Sequence, residues 1–270
     1  MSGRRFAVMA ALALTHGSSA LAQQWPADSA YSAWPCDTSV MTDPYHDESG
    51  AQGPRDLVGS DAAPAGLRAT DAGFLYVRLR LDQDPAVSTF AWALLVDTNN
   101  DASLYDVMLG ADNNVGTVSI YRNTTGTPGD PRDAPDLPAV SSLPWSSRAR
   151  SIVAPGSSYG SDADYFLDLA YSWADLAAVG IGPSTPMRVW AATSTALETG
   201  LNGDFACRAG YAPTLENSWI VTTPDPSQGP YLAGGGGCAH GTAGVAALLA
   251  LVPLLALAWR RARRGTSPGR

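Results

Sequence analysis

The stretch Phe74-Leu75-Tyr76-Val77-Arg78-Leu79-Arg80-Leu81-Asp82 decides the fold. Its apolar residues alternate, with Leu75, Val77, Leu79 and Leu81 on one side and Phe74, Tyr76, Arg78 and Arg80 on the other. Side chains of a strand point alternately to opposite faces, so this period of two predicts a half-buried β-strand with Arg78 and Arg80 toward solvent. Downstream, residues 90–96, 104–109 and 115–121 are short, β-branched or aromatic, and separated by Asp- and Asn-rich turn material. That spacing predicts an antiparallel meander. Residues 124–144 are rich in Pro, Gly and Asp and too long for a tight hairpin, which predicts an exposed loop. Further strands are expected at 150–154, 164–170 and 188–195. A single short helix is expected at 172–179, begun by Ser172, whose hydroxyl suits a cap. Upstream, residues 23–54 read as an irregular lead-in with one short strand near 39–41. Nothing in the chain reads as a βαβ unit or a repeat. Many short strands, regular turns and one helix make an antiparallel β-sandwich the expected architecture of a mainly β protein, with a closed barrel as the alternative.

Several of these segments also follow a family pattern. The segments Asp56-Leu57-Val58-Gly59, Asp71-Ala72-Gly73-Phe74-Leu75-Tyr76-Val77-Arg78-Leu79, Tyr165-Phe166-Leu167-Asp168 with Trp173-Ala174-Asp175-Leu176, and Val189-Trp190-Ala191-Ala192-Thr193-Ser194 together resemble the carbohydrate-binding module family 9 and DOMON-like β-sandwiches. The resemblance covers about residues 56–204 and implies a sandwich fold and a binding role. It carries over no sugar-stacking tryptophan pair.

The two ends carry addresses. Arg4 and Arg5, an apolar run at 6–14 and the small residues before Gln23 predict a cleaved export signal over residues 1–22. Near the other end, Gly234 to Gly237 precede Cys238, a charge-free apolar run to Trp259, and the cluster Arg260, Arg261, Arg263 and Arg264. As a helix, residues 242–259 would span roughly 27 Å, about one bilayer core. Arginines directly after the run put the C-terminus in the cytoplasm and the bulk of the chain outside. The partition expected from sequence is therefore a signal at 1–22, the lead-in at 23–54, a β-sandwich ectodomain at 55–228, and a Gly-rich linker at 229–237. A sorting and transmembrane tail at 238–264 and a cytoplasmic end at 265–270 follow.

Glycine run, cysteine, apolar span and arginines together resemble the MYXO-CTERM class of C-terminal sorting tags found on secreted proteins of myxobacteria. That resemblance implies that Cys238 is the processing residue for a membrane-embedded sorting protease, with the protein retained at the cell surface.

The formal net charge is −8, and arginines gather in the two ends, so the ectodomain is more acidic than the whole. Such a surface argues against nucleic acid as a partner, because phosphate could not be neutralised. With 45% hydrophobic residues, the chain can still build a core. Of three cysteines, Cys238 belongs to the tail, leaving Cys36 and Cys207 as the pair for one disulfide in an exported domain; the other reading is two separate buried thiols.

Candidate chemistry lies in acidic groups. Asp97-Thr98-Asn99-Asn100-Asp101-Ala102-Ser103 with Asp106 offers oxygen donors at alternate positions of a loop, so Asp97, Asn99, Asp101 and Asp106 are the candidate ligands for Ca²⁺. The loop is not an EF-hand: Ala102 stands at the turn glycine and Met108 at the twelfth position. An Asx-rich turn bonding its own backbone is the competing reading. A second group is Asp162, Asp164 and Asp168, of which Asp164 and Asp168 would fall on the same strand face, the candidate pair of carboxylates for a glycosidase-like hydrolase. Three histidines occur, and His16 and His240 lie in the targeting ends, leaving His46. In Tyr45-His46-Asp47-Glu48 it reads as a solvated loop residue or as the source of one or two metal ligands. No nucleophile or phosphate-cradling motif accompanies it. The function expected is a surface-anchored, noncatalytic binding or structural module, contacting a glycan or a surface protein and stabilised by Ca²⁺. The alternative is the secreted hydrolase.

Overall fold

The structure is a computed structural model and describes residues 23–36, 39–47, 53–101, 104–130, 132–207 and 220–228. These residues belong to one compact unit that ends at Tyr231. The export signal at 1–22, Glu48, Cys238, the apolar run at 242–259 and the arginine cluster lie outside the described residues.

In chain order the strands are β1 (Ser32–Ala33), β2 (Pro35–Cys36), β3 (Ser39–Val40), β4 (Gly66–Thr70), β5 (Phe74–Leu81) and β6 (Ala91–Asp97). They continue with β7 (Val107–Asp112), β8 (Thr117–Arg122), β9 (Ser141–Pro144), β10 (Ala149–Val153), β11 (Tyr165–Ser172) and β12 (Arg188–Ser194). Two short helices, α1 (Trp145–Arg148) and α2 (Trp173–Ala177), interrupt them. Among the described residues, the single helix expected over 172–179 is thus one of two α-helices. Ser172 caps α2 as expected, its Oγ accepting from the Asp175 amide at 3.1 Å. Helix α1 escapes sequence reading because its four residues carry no period.

The strands form two five-stranded sheets, in the orders β1-β4-β5-β11-β10 and β12-β6-β7-β8-β9, with β2 and β3 as a separate hairpin. All pairings between these strands are antiparallel. The fold is mainly β, and strands β6, β7 and β8 are the expected meander. Strand β9 falls within the loop predicted over residues 124–144; Ser141, Ser142 and Leu143 carry little β signal, yet β8 supplies the ladder that they complete.

One apolar cluster joins the two sheets. Leu75, Val77, Leu79 and Leu81 of β5 and Leu167, Leu169 and Tyr171 of β11 share it with Trp92, Leu94 and Val96 of β6 and Val189 and Ala191 of β12. The lead-in contributes Trp34, Cys36 and Met41 to the same cluster. Cys36 and Cys207 form a disulfide with a Cα–Cα distance of 5.8 Å across 171 residues of sequence.

Strand β5 departs from the half-buried expectation, since Tyr76, Arg78 and Arg80 are buried as well. Its outer side is covered by Tyr31, with Trp25, Leu67 and Phe74 packed around Tyr76, Ala69 and Ala170. The outer side of the second sheet is covered too. Tyr105, Leu197, Leu201 and Phe205 pack on Ala93, Leu95, Met108, Trp190 and Ala192. Gly110 permits this, because a Cβ there would fall on the Leu197 side chain.

Candidate functional site

Strand β11 carries the first acidic group. In its pairing with β5, Asp168 stands opposite Arg78 and Phe166 opposite Arg80. Arg78 donates from Nε to Asp168 Oδ1 at 2.6 Å and from Nη2 to Oδ2 at 2.9 Å. Arg150 on β10 donates from Nε to the same Oδ2 at 2.7 Å. The second end of the Arg78 guanidinium reaches Asp28 at 2.9 Å, and its plane lies 3.7 Å from the Tyr31 ring and 4.3 Å from Phe166. Burial, with the Asp168 carboxylate close by, pushes the Tyr31 phenol well above its usual value. Charge-assisted, bidentate and desolvated, this pair holds the Asp168 carboxylate in place.

Asp164 just precedes β11 and is also buried. It accepts from the Tyr159 amide at 2.8 Å and from the Ser157 hydroxyl. Asp162 is exposed and accepts from Gln83 at 3.2 Å. The three carboxylates of the second group are therefore engaged by three different sets of donors.

The Asp97 loop joins β6 to β7 and closes on itself. Asp97 Oδ1 accepts from the amides of Asn99 and Asn100 at 3.1 and 2.8 Å. Asp106 accepts from the Thr98 amide at 2.7 Å and from Asn99 Nδ2 at 2.9 Å. Asn99 Oδ1 accepts from the Asp101 amide at 2.6 Å. Arg188 on β12 lies 3.8 Å from Asp97 and also bonds the Asn100 side chain. Burial raises the Asp97 carboxyl above its ordinary value, while Arg188 opposes the shift. A small recess beside the loop is lined by Asp97, Thr98, Asn100, Met187 and Arg188.

Two other groups of acidic and histidine donors converge among the described residues: His46, Asp56 and Asp82, and Asp43, Asp47 and Asp204. Within each, one donor atom per residue lies within 4.8 Å of the others. Backbone pairing builds them. Leu57 bridges Leu81 at the end of β5, and the Asp82 amide donates to the Asp56 carbonyl at 3.0 Å, so the residues flanking the two leucines stand side by side. Leu57 and Leu81 face the core, and this sends Asp56 and Asp82 to the other side. The Asp43–Gly59 bridge brings in the lead-in, and the Leu57 amide donates to Asp204 at 2.6 Å.

Asp56 is fully buried and accepts from the His46 amide at 3.2 and 3.1 Å. Burial, reinforced by Asp204, pushes its carboxyl up to about 8 despite that amide. The Asp82 carboxyl rises to about 6, again mainly by burial, with Asp162 adding to it and His46 opposing it. His46 holds a left-handed φ of 55° and its ring stacks on Tyr45 at 4.0 Å. Of these residues, the sequence points only to His46 and Asp47 as possible ligands; Asp82 ends the alternating β5 stretch and Asp56 opens a segment of the family pattern. Their signal was an aspartate one step beyond an inward-facing leucine on each of two segments, which becomes a cluster only once the segments pair.

No family model, no curated protein and no solved structure matches the chain. Among the described residues no helix is long and apolar enough to cross a membrane.

Proposed function

We propose that the chain is a surface-anchored, noncatalytic binding or structural module whose two sheets make a β-sandwich. The observation that carries this reading is the state of Asp168, the acidic residue best placed for hydrolytic work. It is buried beneath Tyr31 and paired with Arg78 and Arg150, so its oxygens are already held by guanidinium donors, an arrangement that suits a scaffold. The shared apolar cluster between the sheets supports the sandwich, and its covered outer faces leave the loops at the rims to meet a glycan or a surface protein.

In this reading the export signal at 1–22 and the tail after Cys238 display the module on the cell envelope, and a sorting protease acts at Cys238. The Asp97 loop, with Asp97, Asn99, Asp101 and Asp106, is the calcium-responsive element of the rim; its density of oxygen atoms supports this. A glycan array probed with the purified full-length chain, with and without Ca²⁺, tests the binding function. Retention that depends on Asp97 and Asp101 is the expected result, and a blank array under both conditions points to the structural role.

A further inference from the structure

The His46, Asp56 and Asp82 group supports a step independent of the reading above. Asp82 is 1% exposed, and its Oδ1 is buried without a hydrogen-bond partner among the described residues. Asp82 forms no ion pair there, and the one ion pair of Asp56 is with His46. Other buried aspartates are compensated: Asp168 has Arg78 and Arg150, Asp97 has Arg188, and Asp164 accepts from the Tyr159 amide and the Ser157 hydroxyl. Two adjacent buried carboxylates, one with a vacant acceptor, are therefore left with one half-exposed imidazole for compensation. Burying charge without a partner is expensive, and such a group either takes up a proton or coordinates a cation.

The geometry narrows the choice of ion. His46 Nε2 stands 3.4 Å from Asp56 Oδ2, too long for a good hydrogen bond. Two donors bound to one tetrahedral Zn²⁺ at about 2.0–2.2 Å stand roughly 3.4 Å apart. One imidazole with two carboxylates is a donor set for a borderline divalent ion, whereas Ca²⁺ and Mg²⁺ favour oxygen alone. The His46 amide, bonded to both oxygens of Asp56, does what outer-shell donors do for ligating carboxylates. Tyr45 stacks on the imidazole and fixes its plane, its hydroxyl end lying against Gly160. The His46 side chain is 48% exposed, which gives the ion a way in and leaves the fourth position to water.

We propose that His46, Asp56 and Asp82 form a site for a single divalent ion of the zinc class, tying the lead-in to the end of β5. The test uses the full-length chain in detergent, stripped with chelator and equilibrated by dialysis against Zn²⁺, with bound metal measured directly. One Zn²⁺ per chain is expected, not displaced by millimolar Ca²⁺. Asp82→Asn and His46→Asn should each weaken binding roughly tenfold or more, while Glu198→Gln, at an exposed position away from the group, leaves it unchanged. Asparagine tolerates the left-handed backbone of position 46 and lacks the reach of the imidazole, so His46→Asn decides the matter even where Asp82→Asn fails to fold. Retention of Zn²⁺ unchanged in His46→Asn, absence of Zn²⁺ from the wild-type chain, or its loss in Glu198→Gln would overturn the proposal.

Discussion

Arg78 grips Asp168 through two parallel hydrogen bonds of 2.6 and 2.9 Å on the side of β5 that its alternation assigns to solvent. Both side chains are buried, at 2% and 0% exposure, so removing one strands the other. Asp168→Ala is expected to cost about 3–5 kcal/mol in denaturant unfolding. Replacing both residues together by apolar ones of similar volume should recover most of that loss, because the desolvation penalty then disappears with the pair. A double variant as unstable as the single one would show that the pair does more than compensate its own burial.

The Cys36–Cys207 bridge closes nearly the whole described unit, linking the lead-in to the segment after β12. A loop of this length is worth about 4–5 kcal/mol through restriction of the unfolded chain. Reduction, or Cys36→Ala with Cys207→Ala, should lower the melting temperature by roughly 10 °C. Thiol counting on the nonreduced protein provides the check, with no free thiol at either position expected.

Asp136 fastens the loop between β8 and β9. The side chains of Thr124 and Thr125 donate to its carboxylate, as does the Thr124 amide at 2.7 Å, and together they hold the carboxyl below its usual value. Because the folded value is depressed, this clasp is fully present above the ordinary carboxylate range and is lost as pH falls through the lowered value. Amide exchange at Thr124, corrected for its intrinsic pH dependence, should therefore lose protection only at strongly acidic pH. In Asp136→Asn the pH dependence should vanish.

How far the chain could be read in advance follows the range of the interactions involved. The strands at β5, β6 and β10 to β12 declare themselves by alternation or β-branched runs, which are local properties. Strand β4, Gly66-Leu67-Arg68-Ala69-Thr70, does not: its glycine and alanine give no β signal, and its place comes from pairing with β5. Burial of Arg78 and Arg80 was hidden for another reason. The rings that stack on them, Tyr31 on Arg78 and Phe166 on both, lie more than forty positions away in sequence, and no period in β5 reports what packs on its outer side. The Asp56 and Asp82 cluster is likewise a product of the Leu57–Leu81 bridge. The Asp97 loop, by contrast, was legible as an oxygen-rich turn because its donors and acceptors sit within ten residues of one another.

The central claim, that this is a module which holds its partner without transforming it, is tested most directly by measuring reducing ends. The full-length protein would be incubated with a panel of soluble and insoluble polysaccharides, alongside Asp168→Asn and Asp164→Asn. Retention on a polysaccharide without any release of reducing sugar above the protein-free control is the predicted result. Release by the wild-type chain that disappears in either variant would contradict the account and make this acidic strand a hydrolytic centre.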